Sequence, residues 1–571
     1  MTSSRPDNPF IVQSDHTVLV EVDSPRYAGG RDALARFAEL VKSPEHVHTY
    51  RITPLSIWNA CSAGMDASGI LSSLREYSKY EVPRHVEHEV SDCAARYGKL
   101  RLVREARGLV LEVSSEALAL ELLHHESAAP VLGQRVSPRQ FAVAAEDRGR
   151  LKQVLIKLGY PVDDCAGYLP GESLPVHLRS RTRAGLEFVL RDYQREAAAV
   201  FHAAGSARGG SGVIMLPCGA GKTIVGLACI ALLETSTLVL TTSVTATRQW
   251  ISELLDKTSL GPQDIAEYTG QTKDLRPVTV ATYNILTWRP RRDDSFPHMQ
   301  LFDRRDWGLI VYDEVHLLPA PVFQVTAGLQ ARRRLGLTAT LVREDGREDE
   351  VFALIGPKRV DVPWKALERE GWIATAQCHE LRVPMSESLR MQYAVASPRD
   401  KFRIASENPA KRRVVEDLLA RHGTSQTLVI GMYVEQLDEL ARELQIPLLT
   451  GATRQSRRDA LFEQFKAGEV RVLAVSKVAN FAVDLPDAAV AIQVSGTFGS
   501  RQEEAQRLGR ILRPKPGENQ ASFYTLVSRD TVEQDFAMKR QLFLCEQGYE
   551  YDVQDVEPQP AMPGASAREV G

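Results

Sequence analysis

Val213-Ile-Met-Leu-Pro-Cys-Gly-Ala-Gly-Lys-Thr223 opens with four apolar residues, turns through a proline and two glycines, and leads into the helical pattern Ile224 to Leu233. An uncharged apolar run ending in turn residues predicts a buried strand, and strand, glycine loop and helix in that order build one βα unit of a parallel sheet. Glycines 219 and 221 let successive backbone N–H groups turn inward, while Lys222 and Thr223 add an ammonium and a hydroxyl. That combination suits a chain of phosphates with a divalent cation. Leu216 stands where the strict form of such a loop has its first glycine.

The alternation continues outward. Thr237 to Leu240, Val278 to Ala281, Leu309 to Tyr312 and Arg334 to Leu337 read as buried strands separated by helical patterns, as far as Pro363. A second block, from Lys411 to about Gln547, repeats it at Thr427 to Ile430, Pro447 to Leu449, Val470 to Val475, Ala489 to Val494 and Ala521 to Leu526. Such alternation specifies a parallel sheet covered by helices. The expected fold class is therefore α/β, with two tandem parallel-sheet lobes preceded by a small mixed N-terminal region.

Six segments are expected. Residues 1–125 read as a winged-helix-like accessory region, from helical patterns at Leu55 to Met65, Ser68 to Tyr77 and Val86 to Tyr97 and a hairpin pattern at Lys99 to Arg104 and Gly108 to Val113. Residues 126–185 read as a small α+β domain, 186–365 as lobe 1, 366–410 as a linker with a helical insertion, and 411–553 as lobe 2. Residues 554–571, rich in Pro, Ala and Gly, read as a disordered tail.

Composition narrows the class. At 571 residues the chain exceeds one core, since domains run to ~100 to 200 residues. A hydrophobic fraction of 43% and a charged fraction of 25% are ordinary for globular chains. The formal net charge of −3 gives no global attraction to polyanions, so a grip on nucleic acid must rest on local basic patches. Seven cysteines without a C-x-x-C pair disfavour a zinc ribbon, a four-cysteine iron–sulfur cluster and a disulfide framework, and fit a reducing cytoplasm. No apolar run approaches ~18 residues, so no membrane span is expected.

About ninety residues past the glycine loop, Leu309-Ile-Val-Tyr-Asp-Glu-Val-His316 ends an apolar strand in two adjacent carboxylates. Asp313 is expected to hold Mg²⁺ through water, and Glu314 to orient and deprotonate the water that attacks a γ-phosphate. ATP and Mg²⁺ are the implied cofactors, with Gly219, Ala220, Gly221, Lys222 and Thr223 on the phosphates and Thr223 and Asp313 on the metal. Upstream, Leu190-Arg-Asp-Tyr-Gln194 offers the Gln194 amide, donor and acceptor together, to an adenine edge. Leu337-Thr-Ala-Thr340 supplies Thr338 and Thr340 as hydroxyls linking the nucleotide to a nucleic-acid track. His316 reads as a coupling residue with them, because no other ligand sits at a metal spacing. In the second lobe, Gln506-Arg-Leu-Gly-Arg-Ile-Leu-Arg513 brings Gln506, Arg510 and Arg513 near one helical face, where the two arginines would serve as arginine fingers. Trp288-Arg-Pro-Arg-Arg292 and Arg332-Arg-Arg334 are candidate phosphate contacts.

Together these strings resemble the superfamily 2 helicases, and more narrowly the prokaryotic members of the xeroderma pigmentosum B (XPB) type of DNA repair helicase. The narrower resemblance rests on Leu216 to Thr223, on Leu335-Gly-Leu-Thr-Ala-Thr-Leu-Val-Arg-Glu-Asp345 and on Arg501-Gln-Glu-Glu-Ala-Gln-Arg-Leu-Gly-Arg510, and spans about Thr49 to Val553. It implies RecA-like lobes and a 3′ to 5′ DNA helicase or duplex translocase in nucleotide excision repair or transcription-linked DNA opening. It also implies a damage-recognition-like domain at 126–185, a thumb-like insertion near Met385 to Asn408, and a duplex-opening role for Arg343, Glu344 and Asp345. The implied partners are duplex and single-stranded DNA, gripped mainly through phosphates, and a repair nuclease or transcription-repair factor. One segment departs from the family pattern: Asn480 stands where relatives carry Asp, and Phe481 and Ala482 where they carry small polar residues. Asp484 is kept, which preserves a nucleotide contact for lobe closure.

Alternatives are a nucleotide-switched scaffold, a nuclease-partner motor without strand separation, and an RNA-directed DExH ATPase. The cytoplasm, or the nucleoid of a bacterium, is the expected location.

Overall fold

The computed structural model describes residues 5–42, 46–106, 108–206, 209–217, 219–291, 294, 296–330, 332–339, 348–476, 488–496, 504, 507–509, 511–512 and 519–557. Two seven-stranded sheets dominate it. In lobe 1 the strands lie side by side in the order Ile265–Tyr268, Val278–Thr282, Thr237–Thr241, Leu309–Asp313, Arg333–Thr338, Ser211–Met215 and Lys358–Asp361, all parallel. Their central members are apolar on both faces because helices cover both: Val213, Ile214, Leu238, Val239, Ile310 and Val311 are all 0% exposed.

Lobe 2 repeats the plan in the order Leu448–Leu449, Val472–Ser476, Thr427–Gly431, Val490–Gln493, Gln520–Ser528, Thr375–Val383 and Tyr551–Asp555, again parallel throughout. Two RecA-like α/β lobes are thus present. The strand Thr375–Val383 corrects the expectation that residues 366–410 are only linker and insertion, since it pairs along its whole length with Gln520–Ser528. Helices Glu387–Val395 and Pro398–Ser406 separate it in sequence from the rest of its sheet.

The winged-helix expectation for residues 1–125 also needs correction. Phe10–Val12, Thr17–Glu21, Val47–Arg51 and Glu39–Lys42 form a four-stranded antiparallel sheet. Helices Ala67–Tyr77 and Arg84–Arg96 bury Ile70, Leu74, Val86 and Val90 against Phe10, Val18, Val20 and Tyr50 of that sheet. The hairpin Leu100–Glu105 and Gly108–Val113 instead joins Gln140–Val143, Arg135–Ser137 and Val162–Asp164 in a five-stranded sheet. Its apolar face meets Phe141, Leu151 and Leu155, so the helices and the hairpin belong to different cores and the boundary at 125 cuts through the second.

Both N-terminal units are anchored to the lobes. The first shares its core with Leu542 and Cys545 of the helix Val532–Glu546 in lobe 2, and its Asn59 Oδ1 accepts from the Lys358 backbone N–H on the edge of lobe 1 at 3.0 Å. The second is bound through buried charge. Asp164 accepts from Arg148 at 2.7 Å and Lys152 at 3.1 Å, and the Tyr168 ring lies between the guanidinium groups of Arg148 and Arg334 at 5.3 and 5.4 Å. Breaking such a buried set one member at a time generally costs about 3 to 5 kcal/mol, because the remaining charge is left unpaired.

Candidate active site

The phosphate loop forms where the strand Ser211–Met215 hands over to the helix Lys222–Leu233. Gly219 and Gly221 take left-handed backbone angles, φ +83° and +81°. A side chain on Gly221 would be strained by that angle and would also come within 2.6 Å of Gln194 Nε2. Gln194 is 4% exposed, and its amide braces the loop: Nε2 donates to the Ala220 carbonyl at 3.0 Å, and Oε1 accepts from the Arg191 N–H at 3.1 Å. Tyr193 donates its hydroxyl to the same carbonyl at 2.7 Å. The Gln194 amide is therefore taken up on its donor side by the loop carbonyl and on its acceptor side by the Arg191 N–H at the start of its own helix.

Lys222 Nζ lies 2.7 Å from Glu314 Oε1, joining the loop to the carboxylate strand end across the sheet. Both side chains are largely shielded, at 12% and 19% exposure, so the contact sits in a medium where charge interactions are stronger than in bulk water. Glu314 has φ +50°, a sparsely populated conformation for a residue with a β-carbon, held where the strand Leu309–Asp313 turns into the short helix Val315–Leu317. Asp313 is fixed from the other side. Trp250 Nε1 donates to its Oδ2 at 2.9 Å, the Glu314 N–H donates to its Oδ1 at 3.1 Å, and Tyr283 donates to its backbone carbonyl at 2.9 Å.

Burial and then the adjacent Glu314 charge push the Asp313 carboxyl up from the usual carboxylate range, against the opposing pull of Lys222 and the Trp250 hydrogen bond. Two crowded carboxylates, with the Thr223 hydroxyl next in the chain to Lys222, form a donor set that suits a hard divalent cation keeping several of its waters. The residues present therefore fit Mg²⁺ beside a phosphate chain.

His316 is 4% exposed, and its Nδ1 lies 2.7 Å from Thr338 Oγ1 and 3.5 Å from Glu314 Oε2. Thr338 closes the strand Arg333–Thr338, and its carbonyl accepts from the Leu216 N–H at 3.0 Å. A continuous polar path thus runs from Lys222 through Glu314 and His316 to Thr338.

Thr340, Arg343, Glu344, Asp345, Asp484, Gln506, Arg510 and Arg513 lie outside the described residues. On the segment that carries the last three, Arg507 and Glu504 are buried in lobe 2 with Arg540, Arg507 donating to Gln493 and Glu504 lying 3.5 Å from Arg540. The Arg332 to Arg334 cluster is no surface grip on phosphate. Arg334 is 0% exposed, donating to the carbonyls of Leu354 and Gln330, and Arg332 pairs with Asp306. Trp288, by contrast, is 50% exposed.

Trp250, Tyr193 and Tyr283 went unread in the sequence. Trp250 reaches Asp313 because Gly226 leaves room: a β-carbon there would lie 2.4 Å from the Trp250 ring. A buried indole N–H needs an acceptor, but no local pattern says which one it finds.

The family model described as ERCC3/RAD25/XPB C-terminal helicase matches residues 367–562. Residues 10–137 match a helicase conserved C-terminal domain, and residues 187–343 match the type III restriction enzyme res subunit. The DNA 3′-5′ helicase XPB of Mycobacterium tuberculosis is 54% identical over 96% of this chain and 98% of its own length. Its namesake from Kineococcus radiotolerans is 54% identical over 96% of this chain and 97% of its own. The general transcription and DNA repair factor IIH helicase/translocase subunit XPB/SSL2 of Saccharomyces cerevisiae is 31% identical over 99% of this chain and 75% of its own. With relatives this similar aligned over nearly the whole chain, both lobes and both N-terminal units included, the chain belongs to the XPB family of DNA 3′-5′ helicases.

Proposed function

We propose that the chain is an ATP-driven motor that moves 3′ to 5′ on DNA and opens duplex in repair or transcription-linked work. The observation that carries this reading is the 2.7 Å pair between Lys222 and Glu314, with Asp313 held beside it by Trp250. The phosphate-loop lysine and the carboxylate suited to activate water already face one another across the sheet.

In this reading the N–H groups of Gly219, Ala220 and Gly221 and the Lys222 ammonium hold the β and γ phosphates of ATP, while Thr223 and Asp313 hold Mg²⁺. A cation held by Thr223 and Asp313 would supply positive charge against the negative charge that grows on the phosphates in transfer to water. Lys222 exchanges its Glu314 partner for phosphate oxygen, which frees Glu314 to accept a proton from the attacking water. Arg510 and Arg513 approach from lobe 2, and Asp484 contributes a further contact, so that the full catalytic set exists only when the lobes close. His316 and Thr338 carry the change at Glu314 toward the segment of Thr340 and of Arg343, Glu344 and Asp345, where DNA is engaged. Gln194 acts first as a brace for the loop and only secondarily at adenine.

Duplex and single-stranded DNA would cross both lobes, held mainly through phosphates, because a motor must pass over every sequence. The exposed Trp288 to Arg291 stretch is one contact on that track. A repair nuclease or a transcription-repair factor is the proposed protein partner, and the nucleoid of a bacterial cell the place of work. No helix among the described residues is long and apolar enough to cross a membrane.

ATPase rates with single-stranded DNA, duplex DNA and RNA of equal length test the substrate class. Stimulation by DNA well above that by RNA is expected, with the half-saturating DNA concentration rising steeply as salt is added. Equal or greater stimulation by RNA would contradict the reading.

A further inference from the structure

Trp372 is an unusual residue in the segment that joins the lobes. It lies between the helix Trp364–Arg369 and the strand Thr375–Val383, and its neighbours along the chain are core: Leu367 is 1% exposed and Ile373 0%. The Trp372 indole nevertheless stays 37% exposed, while four of the other five tryptophans, at 58, 250, 307 and 364, are buried. Its Nε1 donates to Glu370 Oε2 at 2.8 Å, which fixes the plane of the ring. The Arg191 guanidinium lies over its face, 4.6 Å from the ring centroid.

A tryptophan stacked on an arginine at a surface is ordinary packing by itself. Here the contact does not end at the arginine. Arg191 Nη1 donates to the Tyr193 hydroxyl at 3.0 Å, and that hydroxyl donates to the Ala220 carbonyl at 2.7 Å, within the phosphate loop. The Arg191 backbone N–H is held as well, by Gln194, whose other amide end grips the same Ala220 carbonyl. The linker, the start of lobe 1 and the loop that receives phosphate are therefore joined by one stack and a short series of hydrogen bonds.

We infer that Trp372 is a positioning residue for the phosphate loop, a latch through which the inter-lobe linker and the nucleotide site sense each other. The inference rests on the ATPase reading above and deepens it. While the indole covers Arg191, Tyr193 is aimed at Ala220 and the loop is held ready for phosphate. When the linker shifts as the lobes close or part, the stack is altered and the loop is reset. By linkage, a nucleotide that orders the loop must also favour one position of Trp372.

The test pairs kinetics with fluorescence on the full chain. Trp372→Ala should raise the KM for ATP roughly five-fold, the scale of one lost cation–π contact, with a much smaller change in kcat. Trp372→Phe, which keeps a flat face for Arg191, should restore most of the loss. Arg191→Ala should raise KM similarly, and the double variant should be little worse than either single one, since both interrupt one path. Mg·ATP added to Glu314→Gln protein should shift the tryptophan emission, and the shift should shrink when Trp372→Phe is introduced into that background, leaving the part that Trp250 beside Asp313 contributes. An unchanged KM in folded Trp372→Ala protein, fully additive effects, or an emission shift undiminished without Trp372 would overturn the latch. Absence of DNA-stimulated ATPase in the unaltered chain would instead overturn the functional reading on which it rests.

Discussion

Glu314→Gln should lower ATP turnover by roughly 10²- to 10⁴-fold, the range over which a positioned general base contributes, while ATP still binds. Glu314 stands at a strand end with its Oε1 2.7 Å from Lys222 Nζ, in a left-handed conformation that fixes where its carboxylate points. Glutamine has the same length and keeps an oxygen that can accept from Lys222, so the fold and the loop survive. It has almost no affinity for a proton, so water is no longer activated. Movement on DNA should stop with hydrolysis, and DNA bound in the presence of ATP should be retained. ATP turnover at the unaltered rate would remove Glu314 from the role given to it. Full DNA-opening activity without hydrolysis would favour the nucleotide-switched scaffold.

Arg510→Ala should cost at least as much, roughly 10³- to 10⁵-fold in kcat where arginine fingers have been measured, with ATP affinity changed far less. Such an effect appears only when charge develops on the γ-phosphate, so it belongs to turnover and not to binding. Arg507 gives the contrast within the same segment. It is 1% exposed and donates to Gln493 beside the buried Glu504 and Arg540. Arg507→Ala should therefore appear as a lowered melting temperature, through buried charge left unpaired. Steady-state kinetics and thermal unfolding on the two variants separate a finger from a structural arginine.

The legible parts of the fold were those where a residue pattern admits one interpretation. Val213 to Leu216 and Leu309 to Tyr312 are uncharged runs that only a doubly covered strand accommodates, and both became central strands. Thr375–Val383 alternates exposed and buried residues in part, and it reaches its partner Gln520–Ser528 across well over a hundred residues of chain, so proximity in sequence pointed elsewhere. The N-terminal sheet was missed because its strands are as short as three residues and their order in space is not their order in the chain. For the hairpin Leu100–Glu105 and Gly108–Val113, local pattern was correct and assembly was not. Three helices and a hairpin suggested one module, whereas the apolar face of the hairpin is satisfied by Phe141 and Leu151.

The candidate site divides along the same line. Lys222 and the Asp313–Glu314 pair were legible as a candidate group from their places after apolar strands, and the structure sets Lys222 2.7 Å from Glu314, while His316 and Thr338 meet at 2.7 Å. Gln194 was legible as a hydrogen-bonding amide, but its partners are the Ala220 carbonyl of the phosphate loop, a choice made by tertiary structure, and the Arg191 N–H at the start of its own helix. Trp250, Tyr193 and Trp372 act through distant residues and leave no local signature. The Arg332 to Arg334 run shows the converse error. A charge cluster was read as surface, yet Arg334 caps buried carbonyls beneath a tyrosine ring.

Strand displacement on duplexes carrying either a 3′ or a 5′ single-stranded tail, with ATP consumption recorded on the same substrates, reads out the 3′ to 5′ motor itself. ATP-dependent separation of the 3′-tailed duplex is expected, with little or none of the 5′-tailed one and no activity in Glu314→Gln protein. Displacement that prefers the 5′ tail, or that proceeds equally well without ATP hydrolysis, would contradict it.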